Sequence, residues 1–567
     1  MPRQHCSFSD RRLLAILSTK IYSYTFSKLP FRLINLRNSK LELQDRPTVA
    51  KFLTSSEKLK DGVDKIKLME REAFEDVDYK MSHAVREKLR NEAITRWIKD
   101  ATGFTVLSHT WQRGELSYSD FRGQKDISGS HLQQLDSDQA QSLHKLHTFC
   151  RIAKEYTDFA WADNICIDNS DNPEVDESVR SMFSWYRNAA LCIIYLAETN
   201  SLLDLVSGHD RWFTRGWTLQ ELLAPWRLKF YSKDWYRLTN FFNDKISKED
   251  ERRLKLCNDR SLSRQLDLLI GTIQKKTGIS MEQICSFTPG IYRPPLPERM
   301  RWVGRRSTTK EEDQSYSLMG IFNVSIPTAY GEGRERAFFR LFRAILEVGY
   351  QRDWFIWAGQ SISPSIHPSR MIPSSPECYA CLGLHRPNGW TGISNEPIDL
   401  TNIGLRMTIL FVPAEVNESR ELSRFHDYIP PHVTITCPLI SNETIEILGM
   451  KRPQSDKDAN GESEEFALGI LNVNPKQLEQ DAARYPDRLY AILLQRKIVP
   501  QQMSDFSTSY RNWKKCDTDE IITLGHYDKF KLSDEAEGIV SRNRGGTSTN
   551  GREEQYMVKI GFRTMYL

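Results

Sequence analysis

Residues 104–111, FTVLSHTW, carry the pattern that decides the fold. An apolar, β-branched run, FTVLS at 104–108, is followed at once by polar and aromatic residues. Three similar runs come later in the chain: FAWADNICI at 159–167, LCIIYLA at 191–197 and RLKFY at 227–231. Helical stretches separate these runs, and strands that alternate with helices are typical of βαβ units around a parallel sheet.

Two of the intervening helices are well marked. The stretch 174–188 follows Pro173, has acidic residues in its first turn and repeats apolar residues on one face. The stretch 138–156 places Leu143, Leu146 and Cys150 at helical spacing. Both patterns predict helices with one face buried against the sheet.

The polar residues after each strand are candidates for ligand contact. In an open parallel sheet, ligands bind beyond the carboxyl ends of the strands. Ser108, His109 and Trp111 follow the first strand, and Asp168 follows the second. His109 could bond a phosphate or act as an acid, and Trp111 could stack on adenine. The structural alternatives are a turn histidine satisfied by the backbone and a core tryptophan.

Two aspartates and two arginines near this rim also have two interpretations. Asp163 and Asp168 could bind ribose hydroxyls, or they could hold Arg187 or Arg215 in an ion pair. Arg215 could contact a phosphate, since a guanidinium binds phosphate through two parallel hydrogen bonds.

The sequence predicts four regions. Residues 1–100 form a basic N-terminal arm and a charged helical insertion, and residues 101–240 form the α/β domain. Residues 241–352 show helical patterns without clear strands and form a helical subdomain. Residues 353–567 show separated strands with turn residues between them, which predicts a mainly-β, sandwich-like or barrel-like domain.

Composition excludes several classes of partner. The chain has 567 residues, 11 % of them aromatic, and a net charge of +4 with both signs interspersed. Nucleic acid and anionic membranes are therefore not expected as partners. The ten cysteines are mostly single, which indicates a reducing compartment. The longest clean apolar run, AALCIIYLA at 189–197, is too short to span a bilayer, so a cytoplasmic protein without a membrane span is expected.

The composition of residues 1–40 allows a second cellular compartment. They contain eight Lys or Arg and one acid, Asp10. This composition resembles a mitochondrial targeting segment. The alternative is a disordered basic arm.

Residues 211–226, RWFTRGWTLQELLAPW, raise a second pair of alternatives. Thr218 and Glu221 have capping-box spacing, in which Thr218 caps a helix and Glu221 reaches back to a backbone N–H. Trp217 and Leu222 would then form the hydrophobic staple. Alternatively, Glu221 is a catalytic or ligand-binding carboxylate. Both alternatives remain open at this point.

No motif predicts a metal site. His144 and His147 stand three residues apart with no third ligand nearby. The pair Cys378 and Cys381 has no partner pair.

Five segments, in order, resemble the fungal heterokaryon-incompatibility (HET) domain. They are TVLSHTW, WADNICID, SVRSMFSWYRNAALCIIYLA, RWFTRGWTLQELLAP and FYSKDW. A later segment, RMRWVGRRSTTKEEDQSYSLMGIFNVSIPTAYGEG, resembles the part that follows this domain in many such proteins. The resemblance covers about 104–350 and implies fungal non-self recognition and regulated cell death. FRLINLRNSKLELQDRP resembles the first strand of the family, but the charged stretch 51–100 separates it from SHTW.

The HET domain is in turn distantly similar to the TIR domain, which has a flavodoxin-like fold. The resemblance therefore implies a flavodoxin/TIR-like parallel sheet with a helical extension and a C-terminal mainly-β domain. Several TIR proteins cleave NAD with a glutamate in a W-x-x-x-E motif, and Trp217 and Glu221 stand at that spacing. The resemblance implies a catalytic Glu221. The residues predicted to contact the nucleotide are Ser108, His109, Trp111, Asp168, Arg215 and Trp217.

Two functions follow from these expectations. The first is an incompatibility-type protein whose domain binds or hydrolyses NAD, with NAD as a substrate and no required cofactor. The second is a non-enzymatic signalling module that self-associates and recruits an unidentified incompatibility partner.

Overall fold

A computed structural model describes most of the chain. The described ranges are 8–38, 41–75, 83–122, 126–128, 135–256, 259–290, 294–349, 351–380, 398–419, 432–437, 441–451, 463–472, 489–498, 513–524 and 561–567. The chain divides into an N-terminal unit, Met1–Thr288, and a C-terminal unit, Pro289–Leu567. The four regions predicted from the sequence, with boundaries at 100, 240 and 352, remain a prediction.

The N-terminal unit is built on a six-stranded sheet with the order β2-β1-β4-β3-β5-β6. The strands are β1 (Arg32–Asn35), β2 (Glu42–Asp45), β3 (Phe104–Ser108), β4 (Phe159–Trp161), β5 (Leu191–Tyr195) and β6 (Leu228–Tyr231). Strands β3 to β6 are parallel, β1 is antiparallel to β4, and β2 is antiparallel to β1. The predicted α/β architecture with a parallel sheet is confirmed.

Strands β3, β4, β5 and β6 are buried at every position. Parallel strands are covered on both faces by helices, so their sequences are continuous apolar runs rather than alternating ones. This explains why the runs at 104–108, 191–197 and 227–231 predict strands at the right places.

The second predicted strand is too long. The run 159–167 leaves the sheet after Trp161 and forms a short helix, α6 (Asp163–Cys166), with Ala162 at its N-cap. Ile165 and Cys166 are buried in that helical turn. A short apolar run does not distinguish a buried strand from a buried helical turn, which is why the prediction is wrong here.

Helices cover the sheet and extend the unit beyond it. They are α1 (Phe8–Lys28), α2 (Arg46–Leu53), α3 (Ser56–Glu75), α4 (His83–Ala101), α5 (Ser137–Ala153), α6, α7 (Asn172–Asn188), α8 (Leu202–Ser207), α9 (Thr218–Leu223), α10 (Lys248–Leu256), α11 (Arg260–Thr277) and α12 (Met281–Cys285). Short 3-10 helices span Tyr118–Phe121 and Arg211–Thr214. Helices α5 and α7 confirm the two predicted helices.

Both predicted helices have N-caps that explain where they begin. The Asp136 side chain accepts a hydrogen bond from the backbone N–H of Gln139 at the start of α5. The Asp171 side chain accepts one from the N–H of Glu174 at the start of α7, which also has a proline in its first turn. An aspartate at the N-cap satisfies an N–H group that has no partner within the helix.

Part of the segment 1–40 belongs to the sheet. In β1, Leu33 and Ile34 are fully buried, and Ile34 lies opposite Ala160 of β4. Helix α1 buries Leu17 and Ile21. The prediction of a disordered arm is therefore wrong for the described residues of this segment. The stretch that resembles the first strand of the family does form a strand.

Replacing Ile34 by Ala tests whether β1 is integral to the unit. We expect a loss of about 2–5 kcal/mol in the free energy of unfolding, because a fully buried side chain leaves a cavity. Leu203→Ala is the control, since Leu203 is 61 % exposed. Urea unfolding of the full chain measures both, and equal midpoints for the two variants would contradict the role given to β1.

The C-terminal unit begins with helices. They are α13 (Leu296–Val303), α14 (Asp313–Tyr316), α15 (Met319–Phe322) and α16 (Arg334–Val348), followed by 3-10 helices at Arg352–Phe355 and Pro376–Tyr379. Together with α10 to α12 they confirm the helical character predicted for 240–350. Helix α16 buries one face along Ala337, Phe338, Leu341 and Ile345, at the spacing of an amphipathic helix.

The rest of the C-terminal unit is antiparallel β structure, as predicted. Its strands are β7 (Asp399–Thr401), β8 (Gly404–Ser419), β9 (His432–Cys437), β10 (Ser441–Leu448), β11 (Met450–Lys451), β12 (Ser463–Ile470), β13 (Leu489–Ile498), β14 (Lys514–Lys515), β15 (Asp517–Thr518), β16 (Ile522–Leu524) and β17 (Gly561–Tyr566). Strand β8 is 16 residues long and pairs with β7, β9, β12 and β17. The apolar run YMVKIGF at 556–562, which the sequence predicts as one of these strands, lies mostly outside the described residues.

Among the described residues, no helix combines the length and the apolar character needed to cross a membrane.

Asp353 makes the stability of the C-terminal unit depend on pH. Burial raises the pKa of Asp353 from 3.8 to about 7, against backbone hydrogen bonds that lower it. The unfolded chain releases this proton near pH 3.8, while the folded unit keeps it to about 7. The unit should therefore lose stability as pH rises through this window.

Asp353→Asn should remove that loss, because the amide does not titrate. Urea unfolding of the wild-type chain and of the variant, measured at several pH values from about 4 to 7, provides the comparison. The same decline in both proteins would exclude Asp353 as its source.

Candidate functional site

The carboxyl ends of β3 and β5 form the rim where a ligand would bind. From β3 the chain passes to β4 on one side of the sheet, then crosses to β5 and β6 on the other side. The strand order therefore reverses between β3 and β5, and open α/β sheets bind ligands at such a switch point. Ser108 is the last residue of β3, so the predicted rim residues start at this position.

Glu221 reaches this rim from α9. Its carboxylate accepts a 2.5 Å hydrogen bond from the Ser108 hydroxyl. The indole N–H of Trp212 donates to the same Ser108 oxygen, at 2.7 Å. Glu221 is 5 % exposed, and Ser108 and Trp212 are fully buried. A buried carboxylate is thus tied directly to the end of the central strand.

The capping alternative is wrong for Thr218. Helix α9 has Trp217 at its N-cap, with no cap bond from that side chain. The Thr218 hydroxyl donates to the carbonyl oxygens of Trp212 and Arg215. With Trp217 at the N-cap, Thr218 is the first residue of the helix, so its hydroxyl is not at the N-cap position that a capping box requires.

Cationic side chains fix the other end of α9. Lys245 Nζ donates to the carbonyl oxygens of Leu223 and Pro225, at 3.0 and 2.7 Å. Arg187 donates to the carbonyl of Ala224. Burial, with a smaller contribution from nearby Arg187, lowers the pKa of Lys245 to about 8. Carbonyls at a helix C-terminus attract cations, so these contacts hold the short helix that carries Glu221.

Two buried groups next to Glu221 were not identified from the sequence. The Tyr186 hydroxyl donates to the carbonyl of Leu107, and burial together with the Glu221 charge raises the pKa of Tyr186 well above 10.0. Burial and the same carboxylate raise the pKa of Cys192. The sequence signal that could have identified Tyr186 was its position at the end of the apolar face of α7.

His109 lies in a second cluster on this rim. Its Nε2 is 3.1 Å from Asp163 Oδ1, and its Nδ1 is 2.9 Å from Lys145 Nζ. The Trp111 indole N–H donates to the other oxygen of Asp163, at 3.0 Å. Burial raises the pKa of Asp163, but the hydrogen bonds from His109 and Trp111 outweigh it and hold this pKa below 3.8.

A buried ion pair supports the cluster and was missed by sequence reasoning. Lys145 Nζ is 2.5 Å from Glu115 Oε1, and both side chains are almost fully buried. Burial lowers the pKa of Lys145. The Glu115 carboxylate favours the charged form and so raises this pKa, but burial has the larger effect. Lys145 lies between Ser142 and Phe149 on the buried face of α5, so a lysine within a helical apolar stripe was the available signal.

Comparisons with known proteins identify the family of the domain that carries part of this site. The profile of the family described as heterokaryon incompatibility protein (HET) matches residues 104–207. The chain is a HET domain protein. The vegetative incompatibility protein HET-E-1 of Podospora anserina is 33 % identical over 251 residues, which is 42 % of this chain and 16 % of that relative. The chain thus spans a small part of that relative's length. No solved structure matches the chain significantly.

The profile match includes only part of this candidate site. It includes Ser108, His109 and Asp163 and ends at residue 207, before Trp212 and Glu221. The structure brings these two parts together through the Ser108 hydroxyl. No group of acidic, cysteine and histidine side chains in the described part of the chain could hold a metal ion.

The remaining predicted residues have different surroundings. Asp168 forms an ion pair with Arg122, at 2.8 Å, in place of the predicted Arg187 or Arg215. Arg187 instead donates to the backbone carbonyls of Ala224, at the C-terminus of α9, and of Phe287. Arg215 and Trp217 are both half-buried just before α9.

Ser108→Ala tests the link between β3 and α9 in the HET domain. We expect a loss of about 1–3 kcal/mol in the free energy of unfolding, since Trp212 and Glu221 both lose a buried partner. Ser184→Ala is the control at an exposed serine, expected within about 0.5 kcal/mol of wild type. Thermal and urea unfolding measure both variants, and equal stabilities would argue against this hydrogen bond as a structural link.

Proposed function

We propose that this chain is a vegetative incompatibility-type protein that acts in fungal non-self recognition and cell-death signalling. Its HET domain binds NAD and hydrolyses the bond between nicotinamide and ribose, with Glu221 as the catalytic carboxylate. The family match and the similarity to HET-E-1 support the first part of this proposal. The protein acts in the cytoplasm together with an incompatibility partner.

The position of Glu221 carries the enzymatic part of the proposal. The carboxylate bonds to Ser108 at the carboxyl end of β3, and the hydroxyl of Thr218 is engaged elsewhere. A carboxylate at a switch point stands where a bound nucleotide would lie. Thr218, which the capping alternative needs at the N-cap, is instead the first residue of α9.

A carboxylate suits the chemistry of this bond. Cleavage breaks the bond between ribose C1′ and the nicotinamide nitrogen, and nicotinamide leaves with the electron pair. Positive charge then builds on the ribose, where Glu221 stabilises it or bonds to C1′. Water supplies the oxygen that ends on C1′, and its proton is released to solvent.

The sheet order supports a TIR-like assignment. Taken in chain order, the four parallel strands are arranged as second, first, third and fourth. This is the order of the first four strands in flavodoxin-like folds. Trp111, which is 40 % exposed, and the half-buried Arg215 and Trp217 supply ring and phosphate contacts for NAD.

The test is nicotinamide release by the purified full chain incubated with NAD. Glu221→Gln should reduce the rate at least about 100-fold, because the amide cannot stabilise or attack the cationic ribose. Thr218→Val is the matched control, since it changes the predicted capping residue on the same helix and should keep most of the activity. Circular dichroism shows whether both variants are folded.

Two results would count against the enzyme. One is the absence of nicotinamide release by folded wild-type protein, whether dilute or concentrated. The other is equal turnover by Glu221→Gln and wild type.

A non-enzymatic signalling module is the second candidate, and one observation favours it. Trp226 and Phe242 of the HET-containing unit are 60 % and 72 % exposed, and each lies against an arginine, Arg187 and Arg227 respectively. Exposed aromatic and arginine side chains are typical of protein interfaces. This surface would serve self-association whether or not NAD is cleaved.

A further inference from the structure

The cluster around His109 contains more charge than a core histidine needs. Glu115, Lys145 and His109 have buried side chains, whereas Asp163 is 23 % exposed and Trp111 is 40 % exposed. The cluster is therefore buried at one end and reaches the surface at the other. The buried His109 directly follows Ser108, the residue that bonds Glu221.

The hydrogen bonds determine which nitrogen of His109 carries the proton. An ammonium group donates and cannot accept. Burial lowers the pKa of Lys145, but Nζ lies within 2.6 Å of both oxygens of Glu115, and in this ion pair it donates to His109 Nδ1 at 2.9 Å. His109 Nε2 therefore carries the proton and donates it to Asp163 Oδ1.

This arrangement leaves His109 no capacity to bind a ligand. Both ring nitrogens are engaged, and the side chain is 1 % exposed. Asp163 accepts from His109 at one oxygen, from Trp111 at the other, and also from the backbone N–H of Asn164, which leaves one acceptor position on the carboxylate for a ligand. Trp111 has its N–H satisfied, so its exposed part is the apolar ring.

We infer that Glu115, Lys145 and His109 are positioning residues, and that Asp163 and Trp111 are the pair that contacts the ligand. Asp163 accepts a hydrogen bond from a ribose hydroxyl, and the Trp111 ring stacks on a flat heterocycle. The class of ligand is a nucleotide, and this inference rests on the proposed function of the HET domain. Under this inference the residue that contacts the ligand is Asp163 in place of His109. Asp168 serves in its ion pair with Arg122.

Paired substitutions distinguish an effect of Lys145 and Glu115 on the orientation of His109 from their effect on the stability of the fold. Lys145→Met alone leaves Glu115 charged and buried, so it should destabilise the fold. Adding Glu115→Met removes the second charge and should restore much of the lost stability, because an apolar pair of similar volume packs well. The double variant then has a stable fold but no ammonium to fix the proton of His109. Lys248→Met with Glu282→Met is the matched control, because it removes an exposed Lys–Glu pair.

The first measurement is the protonation pattern of His109. Two-bond ¹H–¹⁵N correlation spectra of the full chain labelled at histidine report it, and His109→Gln assigns the signal. We expect the Nε2–H form in wild type and in the control, and a changed pattern in the double variant. The Nδ1–H form in wild type, or an unchanged pattern in the double variant, would overturn the inference.

The second measurement is NAD binding by calorimetry, in a Glu221→Gln background so that NAD is not consumed. We expect the double variant to bind about 10- to 100-fold more weakly than the control, the effect of losing a hydrogen bond to a charged group. If the stable double variant binds NAD with wild-type affinity, Glu115 and Lys145 have only a structural role. If no protein binds NAD, the proposed function fails, and the His109 spectra alone decide the positioning.

Discussion

One hydrogen bond, from the Ser108 hydroxyl to the Glu221 carboxylate, ties the two halves of the HET domain site together. Ser108 ends the central strand, while Glu221 comes from a six-residue helix far along the chain. So short a helix has little stability of its own. Its direction depends on this bond at one side and on Lys245 and Arg187 at its C-terminus.

The rim contains more buried charged groups than the stability of the fold requires. Glu115, Lys145, Asp163 and Glu221 all lie within reach of two adjacent residues, Ser108 and His109. Removing such charges from water is expensive, and apolar side chains of similar size would serve stability as well or better. Groups of this kind are concentrated at functional sites, which is the reason to place function here.

The sequence predicts local features well and tertiary partners poorly. Strands β3, β5 and β6 are continuous apolar runs, so their places follow from the sequence. The position of Glu221 near the rim also followed from the strand order and the family resemblance. The prediction of Thr218 as a cap is wrong, because α9 has Trp217 at its N-cap and Thr218 is its first residue. The bond between Lys145 and Glu115 joins positions that no local pattern connects.

The pairing of β1 with β4 has a consequence for how the domain forms during synthesis. Ile34 finds its partner, Ala160, only after the whole charged helical stretch and β3 have been made. Contacts between such distant positions form slowly, because a long loop must close first. Until then Leu33 and Ile34 remain exposed on the nascent chain. Strand β1, with β2 paired to it, therefore joins the rest of the sheet only after β4 has been made, and until then it offers apolar residues of the kind that lead to aggregation.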